Sequence, residues 1–142
     1  MERLRLKQET LKKAYASFED IISMTYTKVV RDAAIQRFEY TFEIFYKTIK
    51  EHLRVKEGII VNTPKSIFSE ALGSGLVSEE ETKSLLEMTD DRNMTSYTYS
   101  EETANINKIS KCLAEYEGAT LIDKKLKGYC ELIRIVIGRL DE

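Results

Sequence analysis

A chain of 142 residues and 16.4 kDa, with 42% apolar and 32% charged side chains, can close a core of its own, which excludes a disordered polymer and fits one domain over residues 1–142. One proline and six glycines cannot supply the turns of an all-β sandwich, so a helical fold is left. Twenty-two basic against 24 acidic residues give a net charge of −2, so no chain-wide positive field gathers duplex nucleic acid or anionic lipid, although a local basic cluster touching RNA stays open.

Leu4, Leu11 and Phe18 recur every seven residues, flanked by Tyr15, Ile21 and Ile22, and predict a helix from about residue 2 to 24. Val30, Ala34, Phe38, Phe42, Phe45, Ile49 and Leu53 predict a second, long and aromatic, that runs to about residue 56 and stops at Gly58. The triplet Ile59-Ile60-Val61 has no partner strand elsewhere and is not read as a strand. Thr63 before Pro64 caps a short helix carrying Ile67, Phe68, Ala71 and Leu72, which ends in Gly73-Ser74-Gly75. Ser78 with Glu81 forms a capping box ahead of Leu85, Leu86 and Met88.

After Asp90 the run from Asp91 to Ser100 is poor in helix formers and rich in side chains that bond their own backbone, so a frayed or bent segment is expected. Ser100 restarts a helix with Ile106, Ile109, Cys112 and Leu113, and Gly118 interrupts it as a kink or a loop. The stripe Leu126, Tyr129, Leu132, Ile133, Val136, Ile137 and Leu140 closes the chain. The fold class is all-α, an antiparallel up-down helical bundle with two short connecting helices.

Cys112 and Cys130 lack CxxC spacing and His52 has no partner at ligand spacing, so neither metal nor cofactor is expected. Charges fill the first nine residues, where a signal peptide needs an apolar run, and no stretch approaches ~18 uncharged apolar residues, so a soluble cytoplasmic protein with reduced thiols and no membrane contact is expected.

Phosphate loops, paired histidines and nucleophile elbows are absent from the sequence, which leaves polar clusters to be weighed. From Asp91 to Tyr99, one arginine, one asparagine, three hydroxyl side chains and two tyrosines crowd together; this is either an ordinary connection with capping hydroxyls or a binding segment. In a continuous helix Arg92, Ser96 and Tyr99 would share a face, with Tyr97 ~140° from Arg92, so one chain does not bring Arg92 and Tyr97 together. Glu39 and Glu43 lie among five aromatics between Gln36 and Lys47; Arg37 is near enough to pair with one of them, and a partly buried charge reaching from this helix toward the Asp91 segment is the sharper reading. Lys124, Lys125 and Lys127 could touch phosphate or form a solvated helix face.

Four segments in order, Gln36 to Glu43, Pro64 with its short helix, Ala71-Leu72-Gly73-Ser74-Gly75-Leu76, and Asp91 to Tyr99, resemble the nucleotidyltransferase substrate-binding proteins, a branch of the HEPN superfamily. The resemblance implies an all-α homodimer encoded beside a minimal nucleotidyltransferase, as half of a two-component toxin–antitoxin pair. It also implies a motif of arginine, four residues, histidine, one residue and tyrosine, on which Arg92 and Tyr99 match, whereas Tyr97 stands where the family has histidine. Tyrosine, with a reference pKa around 10, is a poor general base at pH 7, so family-type RNA cleavage is not expected.

By the same resemblance Tyr99 is a candidate acceptor of nucleotide from the partner enzyme, with Tyr97 either a second acceptor or a groove-lining stack for a base. Arg92, Asn93 and Ser96 would hold phosphate or substrate, supported by Arg37, Glu39, Glu43 and Asp91. Homodimerisation would set two Arg92 side chains at one cleft, where a nucleotide or RNA would bind. Two alternatives remain: a metal-independent ribonuclease toxin using Arg92 and Tyr97, and a pure interaction module in which Arg92 pairs internally.

Overall fold

A computed structural model describes residues 2–97 and 118–141, with the side chains of 94–97 and 118–121 outside the description. Five α-helices, and no strand, occur among these residues: α1 (Glu2–Ile22), α2 (Lys28–Glu57), α3 (Pro64–Gly73), α4 (Glu79–Tyr97) and α5 (Gly118–Leu140). The all-α bundle is therefore as expected. Gly118 is the first residue of α5, and the helix expected from Ser100 lies outside the described residues.

Local chemistry sets the boundaries. Thr27 accepts a hydrogen bond from the Val30 amide at the start of α2, and Gly58 ends that helix in the left-handed region at φ 68°. The Thr63 and Ser66 side chains each bond the other's backbone amide, with Pro64 in the first turn of α3. Ser78 and Glu81 form the second reciprocal cap, at 2.8 and 3.2 Å.

α1 and α2 pack antiparallel, as three bonds onto α1 carbonyls show: Thr48 to Lys7, Thr41 to Ala14 and Arg37 to Ser17. The end of α5 meets the first half of α1 through Gln8 and the Leu140 carbonyl, 3.0 Å apart, and α4 runs antiparallel to α5 between Arg139–Glu81 and Lys125–Asp91. Phe18, Phe38, Phe42, Phe45 and Phe68 form the aromatic centre of the core, all at most 1% exposed.

α4 differs from expectation: it continues unbroken past Asp90 to Tyr97. Weak helix formers are held there by packing and pairing, with Met88 and Thr89 buried, Lys65 on Asp90 at 2.9 Å, and Asp91 and Arg92 paired with neighbouring helices. Such contacts outweigh a propensity deficit of a few tenths of a kcal/mol per residue.

Candidate functional site

Adjacent residues of α4 reach in two directions. Asp91 turns to α5, accepting hydrogen bonds from the Tyr129 phenol and from Lys125 Nζ (3.1 Å), while Lys125 also pairs with Glu87 at 3.2 Å. Burial alone would lower the Lys125 pKa, but its bonds to Asp91 and Glu87 raise it, so the ammonium stays charged. Arg92 turns to α2, its Nη2 3.8 Å from Oε2 of Glu43.

Glu43 is held mainly by its own helix: Lys47 Nζ lies 3.1 Å and the Tyr46 phenol 3.0 Å from Oε1. Burial pushes the Glu43 carboxyl upward, yet the bonds from Lys47 and Tyr46, with the charges of Lys47 and Arg92, bring the net shift below the usual value. The Arg92 side chain is 31% exposed and that of Glu43 37%, so the pair sits at the surface between α2 and α4.

The expected reach from the second helix toward the Asp91 segment is thus made by Glu43. Arg37 does not pair with Glu39 or Glu43: its Nη1 donates to the Ser17 carbonyl at 2.8 Å, because the Arg37 position faces α1. Glu39 Oε1 is buried without a hydrogen-bond partner among the described residues. Asn93 is exposed. Ser96 and Tyr97 lie in the last turn of α4, their side chains outside the description, and Tyr99 lies outside the described residues altogether. Since α4 is continuous, the Arg92 and Tyr97 positions stand ~140° apart on one chain.

Lys125 is engaged by two acids and Lys127 pairs with Asp123 at 3.0 Å, which favours the solvated-face account of the lysine trio. His52 is half-buried, and burial together with Lys56 lowers its pKa, so it is neutral near pH 7. Sequence reasoning placed Tyr129 only in the core stripe. Its phenol oxygen was the available signal, because a buried tyrosine hydroxyl requires a partner.

Two grooves flank these contacts. Between α4 and α5, one of about 490 Å³ is lined by Glu80, Glu81, Glu87 and Glu131 with Lys125, Leu132 and Ile135, four acids against one cation, which disfavours a phosphate. Between α1 and α2, one of about 300 Å³ has Leu6 and Ile44 in its lining, beside Arg3, Lys7 and Lys47, so Lys47 borders both this groove and Glu43. Among the described residues no three His, Cys, Asp or Glu side chains gather to hold a metal ion, and no helix is long and apolar enough to cross a membrane.

Residues 6–121 match the family model described as nucleotidyltransferase substrate binding protein like. A crystal structure of a protein from Thermus thermophilus is similar, with 37% identity, a TM-score of 0.75, and coverage of 93% of this chain and 99% of that one. No protein of curated function matches.

Proposed function

We propose that this chain, which belongs to the family of nucleotidyltransferase substrate-binding-like proteins, is the substrate-binding and acceptor subunit of a two-component system whose chemistry resides in a separate minimal nucleotidyltransferase. The observation that carries this reading is the position of Arg92: on α4, partly exposed, and beside Glu43 at the surface, where a ligand phosphate can approach its guanidinium. Asn93, exposed in the next position, and Ser96, one turn on, extend the same segment. Grouping the chain with the HEPN superfamily and with toxin–antitoxin pairs is part of the proposal, supported by the Arg92 and Tyr99 matches.

In the acceptor step the Tyr99 phenol oxygen attacks the α-phosphorus of a nucleoside triphosphate bound with magnesium by the partner enzyme. A phosphorus–oxygen bond to tyrosine forms, the bond from the α-phosphorus to its bridging oxygen breaks, pyrophosphate leaves, and the phenolic proton passes to a base of the partner or to water. A homodimer would bring two Arg92 side chains to one cleft and favour an anionic ligand on an acidic chain.

Incubation with the adjacently encoded nucleotidyltransferase, ATP and magnesium, followed by intact-mass measurement, tests this. One nucleotide per chain, lost in Tyr99→Phe, is expected; an unchanged mass removes the acceptor role. The interaction-module reading is favoured by one observation, the Arg92–Glu43 pair itself. It requires that Arg92→Ala leave binding of every phosphate ligand unaltered.

A further inference from the structure

α1 carries an apolar side chain that the core does not use. Leu4, Leu11 and Phe18 are buried, but Leu6 stands ~200° round the helix from Leu4 and is 63% exposed. It lines the groove of about 300 Å³ between α1 and α2, together with Ile44 and the short side chains of Thr10 and Thr48. The other lining residues are Arg3, Lys7 and Lys47, three cations and no acid.

Part of that charge is already engaged. Lys47 is held by Glu43 at 3.1 Å. The charges of Arg3 and Lys7 reach Glu51, but that carboxylate is paired with Arg54 at 2.5 Å. Elsewhere on α1, Arg5 pairs with Glu9 and Lys12 with Asp141, whereas Arg3 and Lys7 have no ion pair among the described residues. The Lys47–Glu43 and Arg54–Glu51 pairs cancel, so the positive charge of Arg3 and Lys7 remains over the groove, on a chain whose net charge is −2.

From this pattern we infer that the α1–α2 groove docks an acidic, amphipathic helix of the partner nucleotidyltransferase. The inference rests on the two-component reading above. Arg3 and Lys7 are i, i+4 neighbours, ~6 Å apart along the axis, so two carboxylates one turn apart on an incoming helix meet both. An apolar side chain between those carboxylates fills the space beside Leu6 and Ile44, the helix-in-groove mode of recognition. Nucleic acid fits less well, since no aromatic side chain lines the groove to stack a base and two cations neutralise few phosphates. A bilayer needs a broad basic face, and an acidic chain is repelled by anionic lipid. The groove also adjoins the Arg92 surface, because Lys47 lines it while Glu43, the partner of Lys47, faces Arg92 at 3.8 Å. An enzyme seated there is beside the segment it would modify.

The test is calorimetric titration of the full chain with the adjacently encoded nucleotidyltransferase, without nucleotide, at about 50 and about 500 mM salt. The wild type should bind, and more weakly at the higher salt. Arg3→Gln with Lys7→Gln should weaken binding at least about tenfold at low salt and flatten the salt dependence. Leu6→Ser, an exposed change that leaves the core intact, should weaken it about fivefold at both salt concentrations. Arg5→Gln removes an α1 cation from outside the groove and should change nothing. No binding, or binding unchanged in both groove variants, overturns the docking. Nucleotide transfer to Tyr99 that persists in that case leaves the acceptor reading standing, and its absence as well removes both. Binding of anionic vesicles or of a single-stranded oligoribonucleotide that is lost in the groove variants, while enzyme binding is not, makes the occupant a membrane or RNA and equally overturns the docking.

Discussion

The phenol of Tyr129 is bonded to the carboxylate of Asp91, and the residue after Asp91 reaches a different helix, meeting Glu43 on α2. Tyr129 is 7% exposed and its ring stacks on Phe38 at 5.6 Å, so the bond that fixes Asp91 is anchored in the core. A helix held through one residue has little freedom to rotate, and the outward angle of Arg92 follows. Burial, then the bond to Asp91, pushes the Tyr129 phenol far above its ordinary range, so at neutral pH it is the hydrogen donor to Asp91.

Tyr129→Phe keeps the ring and removes only that bond. Hydrogen bonds to charged groups contribute ~1.5–3 kcal/mol, but Asp91 retains Lys125, so a loss of about 1–2 kcal/mol in urea unfolding is expected. A cycle with Asp91→Asn should show coupling of at least ~0.5 kcal/mol. Strict additivity would mean that the two groups do not support each other.

Glu51 gives a pH dependence. Its side chain is 7% exposed, and the bond from Arg54 holds its carboxyl below the ordinary 4.5, aided by the charges of Arg3 and Lys7 on α1. The folded state therefore binds its proton less readily than the unfolded chain. The contribution is fully present above about 4.5 and is lost as pH falls through the depressed folded value. Glu43 and Glu81 shift in the same direction and steepen the same acid limb. Thermal melts from pH 7 to 3 should show Glu51→Gln less stable than wild type at neutrality, by on the order of 1 kcal/mol, and with a flatter acid limb. Parallel curves would contradict the assignment.

Much of this architecture is legible in the residues because the signals are local. The Thr63-Pro64 and Ser78–Glu81 caps form as their spacing predicts, and the Phe38, Phe42, Phe45, Ile49 stripe is buried as its period requires. The continuation of α4 past Asp90 was not legible, since its support comes from Lys65, Lys125, Tyr129 and Glu43, none of them near in sequence. Of the candidate site, a charge reaching from α2 toward the Asp91 segment was legible, but not that Glu43 would make that reach or that Arg92 would meet it. The direction of Arg37 was not legible either, because spacing gives a side chain's neighbours on its own helix and not which helix packs beside it.

Gly58 tests the helix end. At φ 68° it occupies a conformation that costs an L residue about 1 kcal/mol, and its amide returns to the Leu53 carbonyl. A Cβ added there meets nothing within 4 Å, so Gly58→Ala should cost about 1 kcal/mol through backbone strain alone, and Gly58→Asn less. Equal stability of all three proteins in denaturant would show that the helix ends otherwise.

Cys130 offers a chemical readout of the α1–α5 interface. It is 4% exposed, and burial pushes its thiol up to about 11, with only a partial opposing effect from its hydrogen bond with Tyr15. At pH 8 roughly one molecule in a thousand then carries the thiolate that reacts with disulfide reagents. Cys112 lies outside the described residues, so the experiment uses Cys112→Ser. In that variant the native thiol should react with an aromatic disulfide at least about a hundredfold more slowly than in urea, where the group is in water and its pKa is ordinary. Because access requires α5 to part from α1, mild destabilisation should speed the reaction in proportion to the population of the open form. Fast labelling of the native protein, unaffected by urea, would place the sulfur at the surface and displace α5 from α1.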